Sequence, residues 1–452
     1  MKVRTARTPA RAGLAVAVAA VLLTSACGNK LDGKSKPAAD AAAGGESLLA
    51  AAKAEGEVDY YETWGEGEPQ NKIFAAEAKD FTAKTGIKVN IKVLGRAAAK
   101  TLDTDIASGA ATPDLMDSGT DHIAADEALK VPGYLDDVTK IPVPGEDGKT
   151  IGDVIPANVL KSATDKDGHL IFVPHTVIST AIWYDAARFP DVAADPPKTW
   201  SDFTALLDKE KAAGKTPIAQ DGLVNFYNVY WFYWLMMRFG GPGSLEALAT
   251  DPAAWDKPAT LQAAQAVAQL AKGGYFENGY MGTKYPAAQN DWAQGKEALN
   301  INGTWLPSET HPQAPADAKP GSFQFPTVPG GHDSVEVGSL GWGLPAKAKH
   351  PNAAKLFLSY LVQKSVIAQI GTAALNIPSR PDCPAPPELL QAQQAVVNAT
   401  ETNATYDGAT ANSKWWNDVL LPLDDGLLGG KITPQDFVAQ GKKKTQDALA
   451  DS

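Results

Sequence analysis

The stretch VDYYETWGEGEPQNKIFAAEAKDFTAKTGIKVNIKVL, Val58 to Leu94, holds three regular segments in a row. Its first seven residues are rich in side chains that favour extended backbone, and they run into a Gly and acid turn. From Asn71 to Thr85, Phe74, Ala78 and Phe81 are spaced four and three apart and so share one face of a helix; Gly86 stands where a left-handed residue would end it. Ile87 to Leu94 then alternates apolar and polar side chains, the period of a strand. Two strands joined by a helix within about 40 residues make a βαβ unit, hence a parallel sheet and an α/β layer architecture. Ligands in such sheets bind beyond the carboxyl ends of the strands, which puts Trp64, Gly65 and Glu66 at a pocket position.

The same logic extends downstream. TPDLMDSGTD (Thr112 to Asp121) reads as a short buried strand breaking into a polar loop, its Asp114 suited to capping a turn. LIFVPHTVISTAIWYD (Leu170 to Asp185) is a long β-rich stretch whose Pro174 argues against one continuous central strand, so Pro174 and His175 are expected to carry the chain from one lobe into another. PKTWSDFTALLDKEKAAGK follows as an amphipathic helix with Ser201 as its expected cap. NFYNVYWFYWLMM (Asn225 to Met237) is aromatic nearly all round and too short to span a bilayer, the pattern of a buried helix. In SLGWGLPAKAKHPNAAKLFLSYL, Pro351 suits a first helical turn and Ala354, Phe357, Leu358 and Leu361 fall on one face. The basic run Lys442 to Lys444 near the C-terminus reads as a solvated helix face.

Residues 1–26 are expected to be a targeting segment rather than fold. Lys2, Arg4, Arg7 and Arg11 precede an apolar run, Leu14 to Leu23, too short for a stable transmembrane helix. LLTSAC resembles the lipobox of bacterial lipoproteins, which implies cleavage before Cys27, acylation of that cysteine and a lipid anchor on the outer face of a membrane. Residues 27–45 are small and polar, a tether reaching at most roughly 60 Å. Cys383 then has no partner, and no disulfide framework is expected. At 452 residues two domains are the default. The formal charge is −11; the first 26 residues carry four of the 41 basic residues and none of the 52 acidic ones, leaving about −15 for the remainder, a poor surface for nucleic acid.

Enzyme signatures with adequate spacing are missing: no HExxH, no G-x-S-x-G, and GLLGGKIT lacks the P-loop spacing. The two cysteines cannot build a zinc site together, and no metal or other cofactor is expected. What stands out is aromatic and acidic residues at strand ends and loops. A sugar offers apolar C–H faces and a rim of hydroxyls, so its site needs flat aromatic surface beside carboxylates and amides. Trp64, Trp231, Trp305, Trp342, Trp415 and Trp416 are candidates for the first role; Glu66, Asp117, Asp121 and Arg380 for the second.

Taken in order, DFTAKTGIKVNIKV, ASGAATPDLM, FVPHTVISTAIWYDAARF, PKTWSDF, WAQGKEALNINGTW, VGSLGWGLPAKAKHPNAAKLFLSYL and NIPSR resemble the extracellular solute-binding proteins of carbohydrate ABC importers, the maltose-binding protein group. The resemblance implies a two-lobed, type II periplasmic-binding-protein fold with several crossovers and a ligand cleft between the lobes. The implied lobes are residues 46–174 with 335–372, and 175–334 with 373–452. It also implies ligand contacts from Trp64 and Glu66 after the first strand, from Asp117, Asp121 and His122 after the PD strand, from Tyr227 and Trp231 in the aromatic helix, from Trp305 in the NG-x-W turn, and from Trp415 or Trp416. His122 and Ile178 depart from the best-known member, so its maltodextrin preference is not implied. The expected molecule is a lipid-anchored, non-catalytic, monomeric receptor that closes on a mono- or oligosaccharide and delivers it to permease subunits. The rival readings are the same fold holding a polyamine or metal chelate, a secreted glycoside hydrolase, and a structural surface lipoprotein.

Overall fold

Val58, Tyr60 and Glu62 are buried along β1 (Glu57–Glu62) while the residues between them are part-exposed, a two-residue period. The next helix, Pro69–Thr85, buries Phe74, Ala78 and Phe81; Gly86 ends it at φ 81°, a conformation cheap only without a Cβ, and donates its N–H to the Thr82 carbonyl. β2 (Lys88–Val93) then returns parallel to β1. The βαβ unit is present as its periodicity demands.

The computed structural model describes residues 37–95, 98–108, 112–119, 135, 137–165 and 167–450. Cys27 and the targeting segment lie outside them. From Ala38 onward the chain is one unit carrying two main sheets. The first has six strands: β11 (Ile377–Pro378), β4 (Val173–Ile178), β10 (Gly338–Gly343), β3 (Leu115–Gly119), β1 and β2, in that spatial order. β1 is parallel to both neighbours, and β10 is antiparallel to β3 and β4. The second sheet orders β6 (Thr216–Ala219), β7 (Glu297–Gly303), β5 (Thr180–Asp185) and β8 (Pro320–Phe323). Two short parallel strands, β9 (Val335–Glu336) and β12 (Thr402–Asn403), pair separately.

Pro174 and His175 turn out to lie inside β4, not at a passage between lobes. Pro174 is tolerated because the register with β10 slips between Leu340 and Gly341, and Pro174 faces Gly341 where the ladder is interrupted. A Cβ on Gly341 would lie 2.3 Å from the Val173 carbonyl oxygen, so the approach requires glycine. The chain changes sheets at Ser179, between β4 and β5. β4 and β11 both sit in the six-stranded sheet, across the expected boundaries at Pro174 and Thr372.

Two connections join the main sheets, Ser179 and the segment leading from β8 through β9 to β10, and a third segment runs from β11 to β12, which pairs with β9. They meet at one buried carboxyl. Glu336 accepts from Thr180 Oγ1 at 3.0 Å and from Tyr233 Oη at 2.7 Å, and Asn403 Nδ2 donates to that same Tyr233 oxygen at 2.5 Å. Burial pushes the Glu336 carboxyl up to about 7.

Helix Pro351–Leu361 buries Ala354, Phe357, Leu358 and Leu361 completely against the first sheet's core, as their spacing requires. The aromatic stretch forms two helices, Asn225–Asn228 and Tyr230–Gly240, and every residue from Tyr230 to Arg238 is buried. Helix Trp200–Ala212 is capped by Thr199, not Ser201: Thr199 accepts from the Asp202 N–H while Asp202 accepts from the Thr199 N–H, a reciprocal capping box. One apolar cluster fills the first sheet and continues onto Ala181, Trp183 and Leu306; the other packs Ile182, Tyr184 and Ile301 of the second sheet against the aromatic helix. Among the described residues no helix is long and apolar enough to cross a membrane.

Candidate functional site

At the carboxyl ends of β1 and β3 the first sheet gathers polar groups on one face. Asp117 is opposite Trp342 in the β3–β10 ladder and accepts the Thr63 N–H at 2.8 Å, which fixes the chain just before Trp64. Trp64 is half-buried with its ring 6.3 Å from that of His175, and His175 packs at 4.6 Å from Trp342 and 5.3 Å from Phe74. Glu62 accepts from Asn71 Nδ2 at 2.7 Å, and Glu66 stands exposed on the turn.

Burial displaces Asp117, Glu62 and His175 toward their neutral forms. Burial raises Asp117 to about 8 and Glu62 to about 7, and lowers His175 to about 3. Oδ2 of Asp117 and Nε2 of His175 are buried without a hydrogen-bond partner. Asp117, expected in the loop after the PD strand, lies inside β3, and it, Glu62 and His175 are all 0% exposed, so they support the turn that carries Trp64 and Glu66 and do not themselves face a ligand.

The second group is built on β7. Asn302 and Gly303, expected as a turn, are the last two residues of β7, paired with Ala181 and Thr180; the turn falls at Thr304–Trp305, and Trp305 is half-buried with its ring over Gly303, where a Cβ would lie 2.2 Å from Cζ3 of the indole. The short helix Leu306–Thr310 brings Glu309 round one turn, its N–H donating to the Trp305 carbonyl at 3.1 Å. Glu309 accepts from Gln289 Nε2 at 3.1 Å and from Tyr285 Oη at 3.4 Å. Trp305 packs against the apolar cluster that contains Tyr227, and burial raises the Tyr227 hydroxyl well above the ordinary tyrosine value, with the Glu309 carboxyl adding to the rise. Rings continue inward: Tyr227 stacks on Tyr230, Tyr230 on Tyr406, and Tyr406 meets Trp416 at 4.9 Å.

Both groups flank the first crossing. His175 packs beside Trp64 on β4; Ser179, at the end of that strand, accepts the N–H of Thr304, the residue before Trp305, at 2.9 Å. Four residues of strand, roughly 13 Å, separate His175 from Ser179.

The other candidates lie elsewhere. Trp231 is turned into the second core, its indole N–H donating to Gln220 and its ring against Phe203, Phe276 and Phe325. Trp342 is wholly buried. Trp415 donates to Thr445 Oγ1 beside Trp255, and Trp416 is buried behind Tyr406. Arg380 is 1% exposed and spends its guanidinium on Glu146, Asp382 and the Val362 carbonyl. Asp114 accepts from the N–H groups of Asp59, Lys349 and His350, a structural post. Asp121 and His122 lie outside the described residues. Tyr285, Gln289 and Glu309 were not anticipated; Glu309's place four residues after Trp305, behind a helix-starting Pro307, was the available signal. A depression of about 550 Å³ lined by Glu146, Lys149, Lys364 and Asp382 contains no aromatic side chain and is a poor sugar site.

Residues 64–366 match the family described as bacterial extracellular solute-binding protein. The chain belongs to that family. This solute-binding protein is 25% identical over 262 residues to the diacetylchitobiose binding protein NgcE of Streptomyces coelicolor, covering 57% of this chain and 52% of the relative. The chain spans about half the length of the curated relatives it matches. In three dimensions it resembles AcbH, a bacterial solute receptor with an exclusive substrate preference for β-D-galactopyranose, at a TM-score of 0.70 and 18% identity, over 88% of this chain and 99% of the other. An extracellular solute-binding protein from Staphylococcus aureus in complex with maltose superposes at a TM-score of 0.65 and 16% identity, over 87% and 98%. The fold of this solute-binding protein is thus the α/β, two-lobed type II periplasmic-binding architecture.

Proposed function

We propose that this protein captures a neutral carbohydrate between its two lobes and delivers it to ABC permease subunits, held at the extracytoplasmic face of a membrane by acyl chains on Cys27. The observation that carries the reading is the pairing of a half-buried indole platform, Trp305 over Gly303, with the Glu309 carboxyl one helical turn on, which holds the Tyr285 hydroxyl and the Gln289 amide. Family membership and the sugar-binding relatives support it. No chemistry on the ligand is proposed: the task is capture and release, by domain closure.

The test is a thermal-shift screen of mono- and oligosaccharides beside a polyamine panel. A ligand that binds only the folded state at 100 times its Kd adds about 2.7 kcal/mol of apparent stability. Stabilisation by one sugar series is the expected result. Stabilisation by a polyamine and no sugar, or release of monosaccharide from an oligomer during incubation, would refute it.

Gly303→Ala probes the platform itself. The added methyl overlaps the indole at 2.2 Å, so the ring has to swing off its seat. Sugar affinity is expected to fall by about tenfold or more with a stability loss of only about 1–3 kcal/mol. Unchanged affinity in calorimetry would remove Trp305 from the site.

A further inference from the structure

We infer that Glu336 is the positioning residue of lobe closure: its ionised carboxyl fastens the crossing segments at one point, and protonation slackens that fastening, so the freedom of the lobes to move depends on pH. This rests on the reading that the lobes close on a ligand, whichever ligand that is.

Closure bends the chain where it passes between the sheets. Glu336 lies on the connection from β8 to β10, 1% exposed, opposite Asn403 in the β9–β12 ladder, so it joins that connection to the segment from β11. Its side chain reaches the first crossing at Thr180 and the aromatic helix at Tyr233. The hydrogen positions follow from the partners. Asn403 Nδ2 also donates to the Ala404 carbonyl at 3.1 Å, an oxygen that can only accept, so the amide nitrogen is the side turned toward Tyr233. The Tyr233 oxygen therefore accepts from Asn403, and its single hydrogen goes to Glu336 at 2.7 Å; the Ala404 carbonyl is more distant, at 3.4 Å. Thr180 donates to the other carboxyl oxygen at 3.0 Å. Two hydroxyl donors, one on each oxygen, suit an anion.

A buried carboxylate is costly, and for stability alone an apolar side chain of similar size serves as well. What the charge adds is bond strength, since hydrogen bonds to a carboxylate are about twice as strong as neutral ones. Protonation returns both ties to ordinary strength. Burial brings that change near neutral pH, because it pushes the carboxyl up to about 7. The ionisable groups that feel its charge are Tyr230, Tyr233 and Tyr406; burial raises all three above the ordinary tyrosine value, so they stay neutral in this range. Asp407, which follows β12, is raised to about 6 and accepts from the N–H groups of Gly243, Leu245 and Glu246. Arg238 of the aromatic helix donates to the carbonyls of Phe325, Pro326 and Ser334, and His332 pairs with Glu401 at 3.1 Å ahead of both short strands.

The experiment is pulsed electron double resonance on the ligand-free chain in a Cys27→Ser background. Spin labels go on Ala83→Cys in helix Pro69–Thr85 and Gln265→Cys in helix Pro258–Gly273, exposed positions on opposite lobes; Cys383 is buried. The population outside the main inter-lobe distance should rise about tenfold from pH 8.5 to pH 5.5. Glu336→Gln, which cannot ionise, should show the broad distribution at both pH values. Thr180→Val and Tyr233→Phe each remove one donor at nearly constant volume and should broaden the distribution at pH 8.5, whereas Thr180→Ser, which keeps the hydroxyl, should restore it. A pair within the first lobe, Ala83→Cys with Lys149→Cys, should hold its distance throughout. A wild-type distribution indifferent to pH, an equal pH response in Glu336→Gln, or a parallel change in the pair within one lobe overturns the inference and leaves carbohydrate capture intact. Failure of every sugar in the thermal-shift screen overturns carbohydrate capture and leaves the pH response of the free chain as the measure of this inference.

Discussion

Replacing Arg380 by alanine should cost about 3 kcal/mol of stability and leave ligand affinity unchanged. The guanidinium is buried and makes five hydrogen bonds: two to Glu146 at 2.6 and 2.8 Å, two to Asp382 at 2.9 Å and one to the Val362 carbonyl at 2.9 Å. Breaking a buried ion pair from one side typically costs 3–5 kcal/mol; here the carboxylates are partly solvated, Asp382 at 38% exposure, and can rehydrate, so the lower end applies. The effect has a pH signature. Arg380 holds both carboxyls below their ordinary range, Asp382 at about 2. Groups with a folded pKa below the unfolded value, roughly 4, add stability above that pH, and it is lost as pH falls through the folded values. Urea titrations of wild type and Arg380→Ala should therefore differ at pH 7 and converge toward pH 2. A variant that keeps its stability but loses ligand affinity would return Arg380 to the binding site, where its residue type first suggested it belonged.

Replacing Trp305 by alanine should do the opposite: affinity for the sugar found by screening should drop about 30- to 100-fold, with a small change in stability. Tryptophans at the centre of a binding surface commonly contribute 2 kcal/mol or more, and each 1.4 kcal/mol is a factor of ten. The free protein loses less because the ring is only half-buried and rests on a glycine instead of filling a core. Trp305→Phe should recover part of the affinity, since a smaller aromatic face remains. A loss of affinity below threefold in the alanine variant would move the platform elsewhere. Trp231→Ala makes the contrast: its indole lies among Phe203, Phe276 and Phe325, so it should destabilise strongly through the cavity it leaves.

The βαβ unit from Val58 to Leu94, the Gly86 stop, the Pro351 helix and the buried aromatic stretch were all legible because their signals are local: side-chain period, a cap, a proline, a glycine. Thr199 was also there to be read, through the T-x-x-D spacing that Ser201 lacks. Pro174 misled for a physical reason. A proline bars a regular ladder, yet a register slip opposite Gly341 accommodates it, and that slip belongs to a strand more than 160 residues away.

The candidate site divides along the same line. Residue order by itself determined the α/β class, the membership of a solute-binding family, the placement of Trp64 and Trp305 just after strand ends and that of Tyr227 in a helix; Asp117, read as following its strand, lies inside it. Which indoles remained at a surface was decided by tertiary packing alone. Trp415 is drawn inside by Thr445, Trp231 by Gln220 and Phe325, and Arg380 finds Glu146 across 234 positions of chain. A tryptophan has the same chemistry in a core as on a platform. Its role is set by the neighbours that exclude water from it, and those neighbours come from distant parts of the chain that only folding brings together.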